Sequence, residues 1–284
     1  MISLLIAATL QTGQPLWIDL PQARHGHRSH VVNGKLYVFG GFERHVNPQT
    51  NSTIASDLRS GRWEALAPMA KSKAFFASAV VENVIYAIGS SVIEKYEPTA
   101  NRWRLVNEGE ILPGSHCEAV AVNNKIFILG KEFLSFDTKS NLVSKLTGYP
   151  GMKPGDHFEL VGNLRSRVHV VGGLDGDTFD ARSTHFVFDG KAWSQEPDAP
   201  FPMFGKFAAS VVHEGKMYCL TPDGSAVYDP GSKTWKRLVK MPETVAMPTA
   251  VVRNGWIVLI GGQPNEGDKV RLAYDIARDK WVKG

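Results

Sequence analysis

Tryptophan recurs along this chain at nearly regular intervals of 40 to 46 residues. The six recurring positions are Trp17, Trp63, Trp103, Trp193, Trp235 and Trp281. The one long gap follows Trp103, and it contains two ordinary intervals if Val143 stands where a tryptophan has been lost. A period of this length indicates one small unit copied many times, which buries its apolar face only against neighbouring copies. The period therefore predicts a repeat architecture.

A second recurring element is a short apolar run that ends in glycine in most copies. The runs are residues 35–41, 84–90, 125–130, 168–173 and 256–262, with residues 216–220 as a copy that has lost its glycines. Short runs rich in β-branched and aromatic residues predict strands that are buried on both faces.

Another apolar run precedes each of these strands across a tight polar turn. The predicted turns are Asn33-Gly34, Glu82-Asn83, Asn123-Asn124, Gly162-Asn163, Glu214-Gly215 and Asn254-Gly255. Asn-Gly between apolar runs favours a two-residue hairpin, because both central residues must adopt positive φ. The sequence thus predicts one hairpin in each unit.

Each unit then continues with an aromatic residue followed by an acid, and the tryptophan position follows after a second turn. The pairs are Tyr96-Glu97, Phe136-Asp137, Phe188-Asp189, Tyr228-Asp229 and Tyr274-Asp275, with Ser56-Asp57 as a degenerate first copy. Pro, Gly, Asn and Ser between the acid and the tryptophan predict a turn in which the acid accepts backbone hydrogen bonds. Each unit is therefore predicted to contain four antiparallel strands.

This order of elements resembles the kelch repeat, and the resemblance extends over the chain from Trp17 onward. It implies an all-β fold, a six-bladed kelch β-propeller with four antiparallel strands in each blade. We assign residues 14–284 to a single propeller. Because the six units are complete without Trp17, residues 15–20 are expected beside the last blade, as its outer strand or as an added edge.

The N-terminus is the only segment that hints at targeting. We interpret residues 1–13 as a signal peptide or a disordered N-terminus, because residues 2–10 are apolar but no Lys or Arg precedes them. This stretch is too short to span a membrane. A signal peptide would direct the protein to the periplasm or outside the cell, and without one the protein would be cytoplasmic.

The remaining bulk properties narrow the class of partner. The net charge of +4 comes without a basic run interleaved with aromatic residues, which disfavours nucleic acid as a ligand. Cys117 and Cys219 lie in different repeats without metal-ligand spacing, and we expect them to be buried thiols. We expect the protein to be a monomer.

The resemblance to kelch propellers also implies where a ligand binds. In that family, ligands meet the face formed by the loops that enter each first strand and the loops that follow each second strand. The ligand-binding positions implied on these loops are Arg24, His25, Phe42, Arg44, Lys73, His116, Asp156, His157 and Phe204. Arg24 stands where kelch repeats often carry an arginine that faces the central opening, and Lys73 is its equivalent in the second repeat.

Two functions from different classes are compatible with this pattern. The chain contains no nucleophile elbow, phosphate loop or dinucleotide fingerprint. The leading hypothesis is a non-catalytic binding protein, without cofactor, whose central face engages a protein segment or a glycan. The alternative is a sugar epimerase or mutarotase resembling N-acetylneuraminate epimerases, which are also six-bladed kelch propellers. Proton transfer would then involve Asp156, Glu243 or Glu43 together with His157 and Arg24.

Two motifs raise the question of a metal. His25 and His27 are two residues apart on a predicted extended segment, so both side chains point the same way and could accept a third ligand from another blade. Residues 172–177 resemble half of a calcium loop but lack its full frame and terminal glutamate. Local hydrogen bonding and a hairpin loop are the favoured interpretations, and we predict no metal.

Overall fold

The computed structural model describes residue 15 and residues 17–43, 49–153, 155–157, 159–204, 209–264 and 270–284. In these ranges the chain forms six four-stranded antiparallel sheets. The first strands of neighbouring sheets contact one another around a common centre. The protein is therefore an all-β, six-bladed β-propeller, as the repeat predicts.

The strands of the first three blades follow one another along the chain. A short ribbon, β1 (Arg24–His25) paired with β4 (Phe42–Glu43), stands at the entrance of blade I. Blade I consists of β2 (Arg28–Val32), β3 (Lys35–Phe39), β5 (Thr53–Asp57) and β6 (Trp63–Leu66). Blade II consists of β7 (Ala77–Val81), β8 (Val84–Gly89), β9 (Val92–Glu97) and β10 (Arg102–Glu108). Blade III consists of β11 (Glu118–Val122), β12 (Lys125–Leu129), β13 (Phe133–Asp137) and β14 (Leu142–Leu146).

The last three blades repeat this order. Blade IV consists of β15 (Leu160–Leu164), β16 (Arg167–Val171), β17 (His185–Phe188) and β18 (Trp193–Glu196). Blade V consists of β19 (Ala209–His213), β20 (Lys216–Leu220), β21 (Ser225–Asp229) and β22 (Thr234–Leu238). Blade VI consists of β24 (Thr249–Arg253), β25 (Trp256–Ile260), β27 (Leu272–Asp275) and β28 (Lys280–Lys283), with a second ribbon formed by β23 (Val245–Ala246) and β26 (Gln263–Pro264).

The only helical turn in the described ranges is a single 3₁₀ turn, Pro98–Ala100. No helix among the described residues is long and apolar enough to cross a membrane.

The hairpin turns match the sequence prediction in five blades and depart from it in blade IV. Asn33 and Gly34, for example, have φ of 50° and 78°, as a two-residue turn of this type requires. The turn predicted at Gly162-Asn163 was wrong, because β15 continues to Leu164. Leu164 is buried in the core between blades IV and V, and this burial extends the strand past the Gly-Asn signal.

The core is divided into six apolar clusters, one at each interface between neighbouring blades. The cluster between blades I and II, for example, packs Phe39 against Phe76 and Trp103. Fully burying one such side chain contributes about 1.5–3 kcal/mol. Each blade therefore depends on both of its neighbours for its buried area.

The repeated tryptophans add hydrogen bonds between neighbouring parts of the ring to this apolar packing. In four blades the indole Nε1 donates to a backbone oxygen just after the outer strand of the preceding blade or, for blade I, on the N-terminal segment. These bonds run from Trp63 to Asp19, from Trp193 to Thr147, from Trp235 to Pro197 and from Trp281 to Val239, at 2.8–3.0 Å. In blade II, Trp103 donates instead to the hydroxyl of Thr53 at 3.0 Å.

Val143 occupies the missing tryptophan position. It pairs with Phe136 in the same register in which Trp103 pairs with Tyr96. At this interface the amide of Asn107 donates to the backbone oxygen of Asn141 at 2.9 Å. A different hydrogen bond thus links blades II and III where no indole is present.

The N-terminal segment closes the ring beside the last blade, as expected, but not in the predicted form. The outer strand of blade VI is β28, and none of residues 17–20 belongs to a strand. Trp17 lies against Gly284, and the carboxylate of Asp19 binds the guanidinium of Arg271 at 2.5 and 2.9 Å. Ile18 is buried in the cluster between blades VI and I. Residues 17–20 therefore lie beside the end of blade VI and lead along the chain into blade I.

The acids of the aromatic–acid pairs stabilise their own turns in five blades, as predicted. Their Oδ1 atoms accept backbone N–H groups two or three residues later at 2.7–3.3 Å, and the acids are Asp57, Asp137, Asp189, Asp229 and Asp275. In blade II, Glu97 precedes the 3₁₀ turn and makes no such cap.

A fully buried ion pair lies in blade II. The ammonium of Lys73 contacts the carboxylate of Glu94, and neither side chain is accessible to solvent. Glu94 also accepts the backbone N–H of Ala70 at 2.6 Å. A pair in this position is costly to break, because the remaining charge would stay buried without a partner.

Blade IV contains a buried pair of histidines where blade III has two phenylalanines. His169 Nδ1 lies 2.9 Å from His185 Nε2, and burial lowers their pKa values to about 4 and about 3. The equivalent strand positions of blade III hold Phe127 and Phe133, which stack at 5.9 Å. Both histidines are therefore neutral in the folded protein near neutral pH.

The Glu94→Gln variant is expected to be less stable by about 3–5 kcal/mol, because it leaves Lys73 buried without its counter-ion. Urea unfolding measures this loss. Replacing both partners, as Lys73→Met with Glu94→Leu, is expected to recover most of the lost stability. Glu64→Gln, which breaks the exposed pair with Lys35, is the matched control and should change little. If Glu94→Gln and Glu64→Gln lose the same unfolding free energy, this assignment is contradicted.

The histidine pair is expected to make stability fall in acid. The pKa of both groups is lower in the folded protein than the ordinary 6.5, so the unfolded chain binds more protons as the pH falls below 6.5. Between pH 7.5 and 5.0 each histidine should remove about 2 kcal/mol of unfolding free energy. The double variant His169→Phe, His185→Phe copies blade III and should lose correspondingly less stability over this range. A pH dependence identical to that of the unmodified protein would refute the assignment.

Candidate functional site

A central cavity of about 190 Å³ opens on the loop face and is lined by residues from all six blades. The loops before the first strands form its mouth, and the first strands form its walls. The polar lining consists of His27, Arg28, Ser29, His30, Ser78, His116, Glu118, Glu159, Ser210 and Thr249. Three arginine or glutamate side chains line this cavity. Arg28 and Glu118 are the first residues of their first strands, and Glu159 immediately precedes one.

Backbone hydrogen bonds link the loops of blades VI, I, II and III along the mouth of the cavity, and we call these linked residues the left-handed arc. At Gly26, Phe75, His116 and Met247, the residue two positions before the first strand adopts positive φ. Gly26 N–H donates to Met247 O at 3.4 Å, Phe75 N–H to Gly26 O at 2.9 Å, and His116 N–H to Phe75 O at 2.6 Å. The left-handed conformation is costly for a bulky residue, so the arc holds Phe75 and His116 in place against local preference.

Aromatic side chains form a continuous series along this mouth, which we call the aromatic rim. Its members, in order, are His25, Phe42, Phe75, His116, His157 and Phe179. Neighbouring ring centroids lie 5.2–6.1 Å apart along the series, which is the range of aromatic contact. The rim crosses blades I to IV.

Phe179 stands out at the end of the rim. It is 67% exposed and has φ of 61°, on the long loop between β16 and β17. Arg182 holds this loop by binding Asp175 at 2.5 Å and Asp156 at 2.7 Å. Positive φ is uncommon for a bulky residue, and strained backbone of this kind clusters at functional sites.

An ion pair crosses the cavity below the rim. Arg28 of blade I reaches Glu118 of blade III at 2.5 Å, and its Nε donates to the backbone oxygen of Phe76 in between. Burial raises the pKa of the Glu118 carboxyl, and Arg28 opposes this shift. Nearby, His30 forms a hydrogen bond with the hydroxyl of Ser78 at 2.8 Å, and burial lowers the pKa of His30 to about 4.

Glu159 is a buried acid beside the same cavity. Its carboxylate accepts the hydroxyl of Tyr149 at 3.1 Å, and burial raises its pKa to about 7. The equivalent position, immediately before the first strand, is Phe76 in blade II and Cys117 in blade III. An acid at a position that is apolar in neighbouring repeats is the sequence signal that could have singled out Glu159.

Three of the ligand-binding positions implied by the sequence are buried in ion pairs. Arg24 is 2% exposed and binds Glu43 at 2.6 Å, so it does not face the central opening. Lys73 is enclosed with Glu94. Asp156 accepts both ends of the Arg182 guanidinium, at 2.7 and 3.1 Å. Their charges are compensated inside the fold.

The other implied positions are distributed as follows. His25, Phe42, His116 and His157 belong to the aromatic rim. Phe204 is half-buried in the loop before blade V. Arg44 lies outside the described residues. Sequence reasoning missed Phe75, Arg28 and Glu118, because only the fold shows that the residues beside the first strands converge. It also missed Phe179, which lies on the loop after the second strand of blade IV.

Several of the groups considered for an epimerase or a metal site bind other residues of the fold. Glu43 is paired with Arg24, and Glu243 binds Lys283 at 2.6 Å. His27 bonds the hydroxyl of Thr249 at 3.0 Å. In the half calcium loop, Lys153 and Arg182 bind Asp175, so side-chain cations occupy the surroundings of this carboxylate. Among the residues that the structure describes, no group of three or more His, Cys, Asp or Glu is arranged to hold a metal ion.

Comparison with known proteins supports the repeat assignment. The family model of the Kelch motif matches residues 23–70. Mouse Kelch-like protein 40 is 24% identical over 225 residues, covering 71% of this chain and 36% of that protein. Human Kelch-like protein 25 is 24% identical over 269 residues, covering 82% of this chain and 44% of that protein. The chain thus spans less than half the length of these relatives.

A solved structure supports the fold independently. The structure titled "Structure of YjhT" superposes with a TM-score of 0.75 at 13% identity, covering 93% of this chain and 98% of that one. At this identity the similarity concerns the fold alone. The chain is therefore a six-bladed β-propeller that carries a Kelch motif at residues 23–70 and is similar in sequence to Kelch-like proteins.

Proposed function

We propose that this propeller is a non-catalytic binding protein whose loop face engages a segment of another protein through the aromatic rim. The observation that carries the proposal is the left-handed arc that holds Phe75 and His116 at the mouth of the cavity. Aromatic anchors that are fixed before binding lose little conformational entropy when a partner covers them. Such anchors dominate the energetics of many protein interfaces.

The surroundings of the rim favour recognition over chemistry. Several charged groups of the loop face are held in ion pairs, as in Arg24 with Glu43, Lys73 with Glu94 and Arg182 with Asp156. A general acid or base must exchange protons with a bound substrate, which such committed groups are poorly placed to do. The rim, in contrast, offers apolar and aromatic area next to a few polar groups, which is the usual composition of a binding site.

Phe179 and Phe75 have distinct parts in this proposal. Phe179 is the exposed contact at the tip of the blade IV loop, and it would become buried in the complex. Phe75 lies half-buried between Phe42 and His116 and supports the centre of the rim. Both can be replaced without opening one of the six core clusters, because neither belongs to one.

The proposal is tested with peptides selected from a random 12-residue display library against the purified protein. Phe179→Ser and Phe75→Ser are each expected to weaken the selected peptides about tenfold, measured by isothermal titration calorimetry. Leu142→Ser is the matched control, because Leu142 is an equally exposed apolar residue (64%) on the outer strand of blade III. Thermal unfolding should show that the three variants remain folded.

Three results would overturn the proposal. Selected peptides could bind Phe179→Ser and Phe75→Ser as tightly as the unmodified protein, which would place the site on the blade edges. Leu142→Ser could also weaken the selected peptides as much as Phe179→Ser and Phe75→Ser do. If no peptide is selected and a glycan array gives a ligand that depends on Phe75, the partner is a carbohydrate instead of a protein segment.

A further inference from the structure

Glu159 differs from the other acid of the central cavity in having no cation as a partner. Glu118 is bound by Arg28, whereas no cation among the described residues binds Glu159. The Glu159 side chain is 5% exposed, and its Cγ lies 2.9 Å from where a Cβ on Gly173 would stand. Gly173 opens the loop between β16 and β17 that carries Phe179. A buried acid without a counter-ion therefore lies against the start of this loop.

One hydroxyl hydrogen lies between Glu159 and a second acid, Asp156. Tyr149 Oη is 3.1 Å from Oε1 of Glu159 and 3.1 Å from Oδ2 of Asp156. Because a hydroxyl has a single hydrogen, Tyr149 can donate fully to only one of these two oxygens. If both acids were ionised, one carboxylate would face the hydroxyl oxygen with no hydrogen between them. The geometry therefore requires one further proton, on one of the two acids.

Asp156 is the acid that stays ionised. Arg182 binds both of its oxygens, at 2.7 and 3.1 Å, and the backbone N–H groups of Lys153 and Gly176 donate to it at 2.9 and 2.8 Å. Burial acts to raise the pKa of Asp156, but these hydrogen bonds outweigh burial, and the pKa lies below its ordinary value. The further proton therefore belongs on Glu159.

The surroundings of Glu159 favour its neutral form. Burial raises the pKa of Glu159 to about 7, and the charges of Asp156 and Glu118 add to this shift. The guanidinium groups of this region, Arg28 and Arg182, are each occupied by another carboxylate. Glu159 thus exchanges its proton close to neutral pH.

The other acidic groups that face Glu159 keep one protonation state through this range. Burial raises the pKa of the Cys117 thiol to about 12 and moves the pKa of the Tyr149 hydroxyl above its ordinary value of 10. Glu118 and Asp156 are held as carboxylates by their arginine partners. Of the acids in this group, Glu159 is therefore the one that changes charge near neutral pH.

We propose that Glu159 holds a proton at neutral pH and is a positioning residue for Phe179. In the protonated state, Glu159 donates to Tyr149, and Tyr149 donates to Asp156. Asp156 in turn accepts the backbone N–H of Gly176, three residues before Phe179. When the proton is lost, the carboxylate of Glu159 competes with Asp156 for the single hydroxyl hydrogen. This competition weakens the anchor of the loop.

The inference deepens the proposed function and rests on it in one respect, because it makes binding at the aromatic rim depend on pH. The protonated share of Glu159 falls from about nine-tenths at pH 6.0 to about one-tenth at pH 8.0. If the bound segment requires the protonated form, its affinity falls about tenfold over this range. The affinity of the rim for a peptide is therefore expected to decrease as the pH rises.

The first test needs no ligand. Nuclear magnetic resonance follows the glutamate side-chain carboxyl carbons and the backbone N–H groups between pH 5.0 and 8.0. The carboxyl signal that is missing from Glu159→Gln belongs to Glu159, and it is expected to titrate near pH 7. The N–H signals of Gly176 and Phe179 are expected to shift with the same midpoint. Glu159→Gln should abolish this shift, and the control Glu64→Gln, which removes an exposed carboxylate of blade I, should retain it.

A second variant separates the hydrogen-bond chain from the charge of Glu159. Tyr149→Phe keeps the ring that stacks on Phe186 at 5.2 Å and removes only the hydroxyl. In this variant the Glu159 carboxyl should still titrate, while the N–H of Gly176 should no longer follow it. If the N–H of Gly176 still shifts with the Glu159 carboxyl, Tyr149 is not the link and the proposed positioning role is overturned.

The last test measures a peptide selected for the rim, without histidine and with blocked termini, by isothermal titration calorimetry. The unmodified protein is expected to bind it about tenfold more weakly at pH 8.0 than at pH 6.0. Glu159→Gln should bind it with nearly equal affinity at both values, because its amide stays neutral. The rim histidines are present in both proteins, so the comparison isolates Glu159.

The proposal is overturned if the Glu159 carboxyl titrates below pH 5.5, or if the N–H signals of Gly176 and Phe179 do not follow it. It is also overturned if the peptide weakens equally in Glu159→Gln. If no peptide is selected, the proposed function fails, while the carboxyl and N–H titrations still decide whether Glu159 positions the loop.

Discussion

The structure depends on one constraint: six wedge-shaped interfaces must be filled so that the last blade packs against the first. Each interface has its own apolar cluster, and no blade can bury its faces without two neighbours. At the point of closure the filling comes from both ends of the chain. Ile18 enters the cluster between blades VI and I, and Asp19 binds both Arg271 of blade VI and the indole of Trp63 in blade I. Ring closure therefore fixes how each blade is packed against its neighbours.

This closed ring allows single positions to vary in chemistry without a change in backbone. In blades I, II, III and VI, the position two residues before the first strand is left-handed whether it holds Gly26, Phe75, His116 or Met247. The next position packs on the glycine turn of its own blade, whether it holds His27, Phe76, Cys117 or Glu159. Repetition determines where the backbone runs, and the side chains at these positions determine what the mouth of the propeller can bind.

The fold was largely predictable because it is encoded locally and repeatedly. The tryptophan period, the glycine-ended runs and the aromatic–acid pairs each correspond to a strand or turn, and even the lost tryptophan was correctly placed at Val143. The Gly162-Asn163 turn was wrong because a buried Leu164, a tertiary contact, outweighed a local signal.

The site was less predictable, because its chemistry depends on pairings between distant residues. Arg24 was placed correctly on its loop, but its partner Glu43 lies on a different loop 19 residues away. That pairing turns an expected ligand contact into a buried structural charge. The same holds for Lys73 with Glu94 and for Asp156 with Arg182. Phe75 and Phe179 escaped notice because a single phenylalanine in a loop carries no sequence signal until the fold exposes its conformation.

The central claim is that the left-handed arc presents aromatic side chains for binding. The most direct measurement is a crystal structure of the protein in complex with a selected peptide. The account predicts that the peptide lies across the mouth of the cavity, in contact with the aromatic rings of Phe75 and Phe179. The left-handed arc from Met247 to His116 should keep the same backbone conformation. A peptide bound along the outer strands, with the rim left exposed to solvent, would contradict it.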